Sequence, residues 1–100
     1  MLERVRIGGL DVAIVVDETV DGFGEWWEQK QVIRVAPGLP ARTLAATVLH
    51  EALHAIGDAY GVPLSERVVR VLEQSMVGMV RADPEGARRW MEAVIGGDVA

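Results

Sequence analysis

The first third of the chain carries short runs of β-branched residues separated by glycine-containing turn signals. Residues 5–16 are rich in valine and isoleucine, and Gly8-Gly9 lies in the middle of this stretch. This pattern predicts a strand or a tight hairpin. The following motif Asp21-Gly22-Phe23-Gly24 is a turn signal.

Apolar and polar residues then alternate along residues 25–35. We expect one continuous strand here, with Trp27 and Ile33 on one face and Trp26 on the opposite, mostly solvated face. The sheet region therefore covers about residues 1–36.

The rest of the chain shows the 3.6-residue period of amphipathic helices and has clear helix-end signals. Gly61 is placed to cap the first helix, Ser65 to cap the start of the second, and Asp83-Pro84 to start the third. The predicted helices cover about residues 41–60, 65–81 and 84–95. Apolar stripes on the second and third helices predict packing by Val68, Val69, Leu72, Met76, Met79 and Val80, and by Trp90, Val94 and Ile95.

This order of strands followed by helices predicts an α+β fold. We expect a small antiparallel sheet of about three strands packed on two to three helices. A length of 100 residues, half of them apolar, suits a single domain covering residues 1–100.

The composition excludes several classes of partner. A net charge of −5 without a basic cluster predicts neither nucleic acid nor a membrane surface as a partner. The N-terminus lacks an uninterrupted apolar signal core, and no apolar run is long enough to span a bilayer, so a cytoplasmic location is expected. With no cysteine in the chain, metal ligands must be histidine, carboxylate or water.

The two histidines of the chain form the motif His50-Glu51-Ala52-Leu53-His54. Residues four apart on a helix lie about 40° apart around its axis and one turn apart along it, so both imidazoles can reach one metal ion. Glu51 lies near enough to contact water held by that ion. This H-E-x-x-H spacing predicts a zinc site with Glu51 as its base.

A solvated helix surface with a structural histidine pair would be the simpler explanation of the motif. However, most of this helix is apolar, and neither lysine nor arginine occurs in residues 43–60. At 100° per residue its few polar side chains collect on one stripe, which is typical of a cleft wall. The stripe contains Thr43, Thr47, His50, Glu51, His54 and Asp58.

A catalytic zinc site requires a third protein ligand. Tyr60 occupies the position where some zinc peptidases have a third histidine. Asp58 is one turn beyond His54, and we expect it to orient His54 through a hydrogen bond instead of binding the ion. Glu66 and Glu73 both flank the apolar stripe of the second helix, and the residue pattern leaves the choice between them open.

The stretch Thr47-Val48-Leu49-His50-Glu51-Ala52-Leu53-His54-Ala55-Ile56, with Leu64-Ser65-Glu66 and Ala82-Asp83-Pro84 after it, resembles small phage- and prophage-encoded zincin-like proteins. These are minimal relatives of the gluzincin metallopeptidases. The resemblance implies a three-stranded sheet over an active-site helix, with His50 and His54 as zinc ligands and Glu51 as general base. It also implies Glu66 as the third ligand.

The leading hypothesis is a zinc-dependent metallopeptidase acting on a peptide or protein substrate. Its sheet edge, expected in residues 29–35, would hold the substrate, and Tyr60 would donate to the developing oxyanion. Of the two adjacent tryptophans, Trp27 is the one expected to pack in the core. Alternatives are a non-catalytic binding protein with a structural or vestigial zinc, and a latent peptidase whose cleft is covered by the C-terminal helix.

Overall fold

A four-stranded sheet and three helices make up the part of the chain that the computed structural model describes, residues 3–96. The elements are β1 (Arg4–Ile7), β2 (Leu10–Val16), β3 (Gly24–Trp27), β4 (Val32–Val35), α1 (Ala41–Ala59), α2 (Glu66–Ala82) and α3 (Pro84–Ile95). The predicted α+β class is confirmed, and the helix bounds differ from those expected by one residue at most. Residues 1, 2 and 97–100 of the expected domain lie outside the described residues.

The sheet is mixed and has the strand order β1-β2-β4-β3, so the expected three-stranded antiparallel sheet is wrong. β1 and β2 form the hairpin that Gly8-Gly9 indicates. After β2 the chain passes to the far edge of the sheet, forms β3, and returns as β4 between β3 and β2. β4 is therefore antiparallel to β3 and parallel to β2.

The expected strand over residues 25–35 is broken by a turn at residues 28–31. The N–H of Gln31 donates to the carbonyl of Glu28 at 3.2 Å, and Gln31 has a left-handed φ of 54°. The turn reverses the expected faces, because Trp26 now pairs across the strands with Ile33. Trp26 packs against the core, whereas Trp27 lies on the outer face, so the prediction that Trp27 is the core tryptophan is wrong.

The core lies between one face of the sheet and α1. Its fully buried side chains come from β2 and β4, namely Val12, Ile33 and Val35, and they pack against the buried Ala55 of α1. The alternation of β4 explains this placement, since Ile33 and Val35 point to one side while Val32 and Arg34 point to the other. The sheet thus fixes the position of α1, which carries both histidines.

The connection from α1 to α2 is short and tightly packed. Gly61 has a φ of 69°, and the N–H of Val62 donates to the carbonyl of Gly57 at 2.8 Å, which completes a Schellman cap. A Cβ atom at Gly57 would lie 2.7 Å from the carbonyl oxygen of Val62. Glycine at position 57 therefore lets the loop cross directly over α1, after which Ser65 caps α2 by accepting from the N–H of Val68 at 3.2 Å.

The apolar stripes of α2 and α3 are not buried as expected. Val69 is the buried residue of α2, and α3 has none. The large side chains predicted to pack, such as Met79, Trp90 and Ile95, are between 65% and 79% exposed. α2 contacts α1 and α3 contacts α2, but both helices leave most of their apolar surface in solvent.

The outer face of the sheet carries an ion cluster around Arg34. Its guanidinium donates to Asp17 at 2.9 Å and to Glu25, and it stacks 4.9 Å from the ring centroid of Trp27. Asp17 also accepts from the hydroxyl and the backbone N–H of Thr19. These hydrogen bonds from Thr19, together with the one from Arg34, hold the pKa of Asp17 below its usual range.

In the described residues, no helix has the length and apolar character required to cross a membrane.

Substitution of Asp17 by asparagine should destabilise the protein at neutral pH and not at strongly acidic pH. A carboxyl group whose pKa is lowered by folding stabilises the native state above its unfolded-state pKa, and this contribution is lost as the pH falls through the native pKa. Urea unfolding at pH 7 and near pH 2 measures the difference between wild type and Asp17→Asn at each pH. Asp11→Asn is the matched control, because Asp11 and its partner Arg4 are 67% and 63% exposed and such pairs contribute little. A destabilisation by Asp17→Asn that is equal at both pH values would contradict the prediction.

Candidate metal centre

α1 presents its two histidines on a polar stripe that lines an open cleft. The ring centroids of His50 and His54 are 5.3 Å apart, and their side chains are 16% and 22% exposed. The whole predicted stripe lies in this cleft, which has a volume of about 920 Å³, and the expectation of a cleft wall is confirmed. Stripe residues in the cleft are Thr43, Thr47, His50, Glu51, His54 and Asp58.

Glu66, in the first turn of α2, faces both histidines. Its Oε1 lies 2.7 Å from Nε2 of His50, and its Oε2 lies 2.9 Å from Nε2 of His54. One ligand atom from each of the three residues falls within 4.8 Å of the other two. The structure thus brings together the three residues predicted as metal ligands.

Glu73 contacts the other nitrogen of His50. Its Oε1 lies 3.0 Å from Nδ1, so this carboxylate accepts when Nδ1 carries the proton. A neutral imidazole has one N–H, and a proton on Nδ1 leaves Nε2 of His50 with a lone pair directed at Glu66. Two groups bearing lone pairs repel each other at this distance unless a proton or a metal ion lies between them. Glu73 therefore has the position of a residue that orients a metal-binding histidine, which separates its role from that of Glu66.

The donor set fits a zinc ion in chemistry, and the two contacts of Glu66 come close to the spacing that the ion requires, with all three ligand atoms within 4.8 Å of one another. Two imidazole nitrogens and one carboxylate are a common ligand set for catalytic zinc. Two ligands about 2.0 Å from a tetrahedral ion lie roughly 3.3 Å apart, a few tenths of an ångström more than the contacts of Glu66 with the histidines. Because the side chain of Glu66 is 52% exposed at the start of a helix, it has room to withdraw by that amount.

The pKa of Glu66 reflects the two histidines that this side chain faces. Partial burial opposes its ionisation, but the hydrogen bond to His54 and the charges of His50 and His54 outweigh this effect. Together they lower the pKa of Glu66 below its usual value. The carboxylate is therefore held in the charged form that binds a cation.

Glu51 lies in the same cleft but does not join this cluster of ligand atoms. Burial raises the pKa of Glu51, and repulsion from Glu66 acts in the same direction. The charges of His50 and His54 and the backbone N–H of Trp26 oppose this rise without cancelling it. A carboxylate with a raised pKa beside a ligand cluster has the character of a general base.

The wall of the cleft opposite α2 is the edge strand β3. A Cβ atom at Gly24 would lie 2.4 Å from the Cγ2 methyl group of Thr47, so only glycine lets the strand approach α1 this closely. Trp26 also ties β3 to α1, because its indole Nε1–H donates to Oδ2 of Asp58 at 2.8 Å. The role predicted for Asp58, orienting His54, is wrong, since its carboxylate accepts from Trp26 instead.

Two other predicted contributions to the site are also not found. Tyr60 was expected to reach the cleft, but its ring lies against Gly8 in the β1–β2 turn, and it is absent from the cleft lining formed by residues 3–96. The described lining residues come from α1, α2, β3 and the loop before β3, and none comes from α3. A covering C-terminal helix, as the latent-peptidase hypothesis requires, is therefore not observed.

Sequence reasoning missed the arginines of the cleft. Arg42 lies in the first turn of α1, and Arg70 and Arg81 lie on α2 on the side that carries Glu66. The signal was present in the sequence, because the intervals from Glu66 to Arg70 and to Arg81 are close to whole helical turns and place all three on one side.

A scan of models of protein families, a search of curated proteins and a search of solved structures each found no match to this chain. Metal binding must therefore be inferred from the chain's own residues.

Removal of Glu66 should abolish zinc binding, whereas removal of Glu73 should only weaken it. Glu66→Ala and His54→Ala each delete a donor, while Glu73→Ala deletes a group that orients His50, and such losses typically weaken metal affinity about 10- to 100-fold. Zinc competition with a chromophoric chelator measures all three affinities. Glu18→Ala, which removes an exposed carboxylate outside the cleft, is the control and should bind as the wild type does. Equal losses in Glu66→Ala and Glu73→Ala would contradict the two roles.

Replacement of Glu51 by glutamine should stabilise the metal-free protein near neutral pH. An acid whose pKa is raised by folding destabilises the native state when it is ionised, that is, as the pH rises above its unfolded-state pKa. Glutamine keeps the shape and removes the charge. Thermal unfolding in the presence of a chelator should show a melting temperature a few degrees higher at pH 7 and a smaller gain at pH 4. An unchanged or lower melting temperature at pH 7 would show that the charge of Glu51 does not destabilise the native state.

Proposed function

We propose that this chain is a minimal zincin-like metallopeptidase, a zinc-dependent hydrolase of peptide bonds. The observation that carries the proposal is the convergence of His50, His54 and Glu66 beside Glu51 in an open cleft. The H-E-x-x-H motif and its resemblance to the gluzincin group support the same reaction class. A peptide or protein substrate and a cytoplasmic location are parts of this proposal.

Each residue has a defined role in the proposed reaction. His50, His54 and Glu66 would hold the ion, and Glu73 fixes the tautomer of His50 by accepting from Nδ1. A bound zinc ion supplies Lewis acidity, which makes water nucleophilic near neutral pH and polarises a carbonyl group. Glu51 takes the proton from the attacking water and passes it to the leaving amine.

The open edge of β3 offers a place for an extended substrate. The N–H of Ala36 donates to the carbonyl of Phe23 at 2.8 Å, so the backbone groups of Phe23 point towards the chain of β4. The direction of the backbone N–H and C=O groups alternates along a strand of an antiparallel pair. Those of Glu25 and Trp27 therefore also point towards β4. The N–H and C=O groups of Gly24 and the C=O group of Trp26 therefore face the cleft side of the strand, where the N–H of Trp26 donates to Glu51. The edge expected in residues 29–35 is wrong because β4 is a central strand, and β3 takes this role in the proposal.

A second function is favoured by the weak apolar attachment of α2. Val69 is the buried residue of this helix, so a zinc ion shared between α1 and α2 would contribute directly to holding the domain together. The chain would then be a non-catalytic binding protein with a structural zinc on the same scaffold.

Substitution Glu51→Gln separates these functions. With zinc bound, the wild type should cleave labelled, unfolded casein, and Glu51→Gln should lose at least about 100-fold in rate because the base is missing. The variant should still bind zinc with unchanged stoichiometry, since Glu51 is not one of the three donors. Glu18→Gln serves as the control and should retain full activity.

Two results would change the conclusion. Unimpaired cleavage by Glu51→Gln would show that Glu51 is not the base. A wild type that binds zinc and melts at a higher temperature with it, yet cleaves neither casein nor a peptide library, would favour the structural role.

A further inference from the structure

One flank of α2 carries a continuous apolar row. Val68, Leu72, Met76 and Val80 are spaced four residues apart, so they form one ridge along the helix. All four are exposed, with Val80 at 52%. At 100° per residue, Val68 lies about 160° around the helix from Glu66, and the ridge turns towards the cleft side along its length, so that Val80 lies about 20° from Glu73.

A second apolar row on α3 continues the first. Ala87, Met91 and Ile95 are again spaced four apart, and they line a shared groove with Val80 and Pro84. Met91 is 49% exposed and Ile95 is 79% exposed. The two rows meet at this groove.

The exposed Val71 and Met79 lie within about 60° of Val68 around α2, and the exposed Trp90 and Val94 lie within about 60° of Ala87 around α3. These four side chains and the two rows form one surface, which we name the α2–α3 apolar face.

The size of this face exceeds what a stable monomer usually leaves in solvent. Six large apolar side chains of α2 and four of α3 are exposed. At their exposed fractions they present on the order of 1,000 Å² of surface, against about 800 Å² that each partner buries in a standard interface and a few hundred Å² for typical monomer patches.

The charges on this half of the chain favour a second copy as the occupant. Residues 65–96 carry five arginines and five carboxylates, so the net charge of −5 lies elsewhere in the chain. Two such halves can approach without net repulsion, whereas a polyanion such as nucleic acid or an acidic membrane finds no excess of positive charge. Ridges of residues four apart can also interdigitate with an identical ridge across a two-fold axis.

We propose that the α2–α3 apolar face is the interface of a symmetric homodimer. Two copies of α2 and α3 would pack into a four-helix layer, with both clefts open on the outer sides. The dimer buries the side chains of α2 and α3 that the monomer leaves exposed, and it does not require zinc.

Sedimentation equilibrium of the metal-free protein tests the interface. The wild type should form a particle of twice the 10.9 kDa chain mass at tens of micromolar, with or without zinc. Met79→Glu and Ile95→Glu place a charge on side chains that are 70% and 79% exposed in the single chain, so each should fold normally. Each should raise the dimer dissociation constant at least about 100-fold, because a charge would be buried without a partner.

Val62→Glu is the matched control, since Val62 is 61% exposed but lies in the loop between α1 and α2, outside this face. It should dimerise as the wild type does. A wild type that stays monomeric at hundreds of micromolar would overturn the proposal, and so would dimers that resist both charge substitutions.

A labelling experiment keeps the test valid if the charged variants lose helicity. The chain has no cysteine, so Met79→Cys and Val62→Cys each introduce a single reactive thiol. Maleimide labelling of Met79→Cys should slow as protein concentration rises, while labelling of Val62→Cys should not. A labelling rate of Met79→Cys that does not fall with protein concentration would overturn the proposed interface.

Discussion

The meeting of one carboxylate with two imidazoles is the interaction on which the arrangement of the helices depends. Val69 is the buried residue of α2, and Glu66 and Glu73 connect this helix to the two histidines of α1. These groups attract one another only when a proton or a metal ion supplies positive charge. A ligand that binds this arrangement and not the unfolded chain shifts the folding equilibrium by its own binding free energy. A zinc ion bound as proposed would consequently link folding of the helical half to occupancy of the site.

The same region shows how a small domain combines a polar cleft with a limited core. Glu51 is kept partly buried, where its charged form is disfavoured, and the glycine at position 24 brings β3 against α1 to make the cleft narrow at this point. Much of the chain's large apolar surface is on α2 and α3 and not in the core. The packing of the sheet on α1 therefore stabilises the domain, and α1 is also the helix that carries both histidines. The proposed zinc ion and the proposed dimer would each stabilise the outer helices further.

Sequence patterns predicted the elements with strong local signals and missed those determined by tertiary contacts. The H-E-x-x-H spacing and the polar stripe placed His50, Glu51 and His54 correctly on a cleft wall, and caps at Ser65 and Asp83 located the helix starts. The turn at residues 28–31 was missed because it contains neither glycine nor proline, and Gln31 adopts its left-handed φ without a sequence signal. Without that turn, the parallel pairing of β2 with β4 could not be anticipated. The position of Glu66 beside both histidines depends on how closely the loop crosses Gly57, which periodicity does not contain.

The placement of the three tryptophans divides the molecule into separately observable regions. Trp26 donates to Asp58 at the cleft, Trp27 stacks on Arg34 on the outer face of the sheet, and Trp90 is 65% exposed on α3. Their indoles thus experience different polarity and different quenching groups, although two of them are adjacent in the sequence. Intrinsic fluorescence of variants that retain a single tryptophan would consequently report the cleft, the sheet and the outer helices as three independent optical signals from an unlabelled chain.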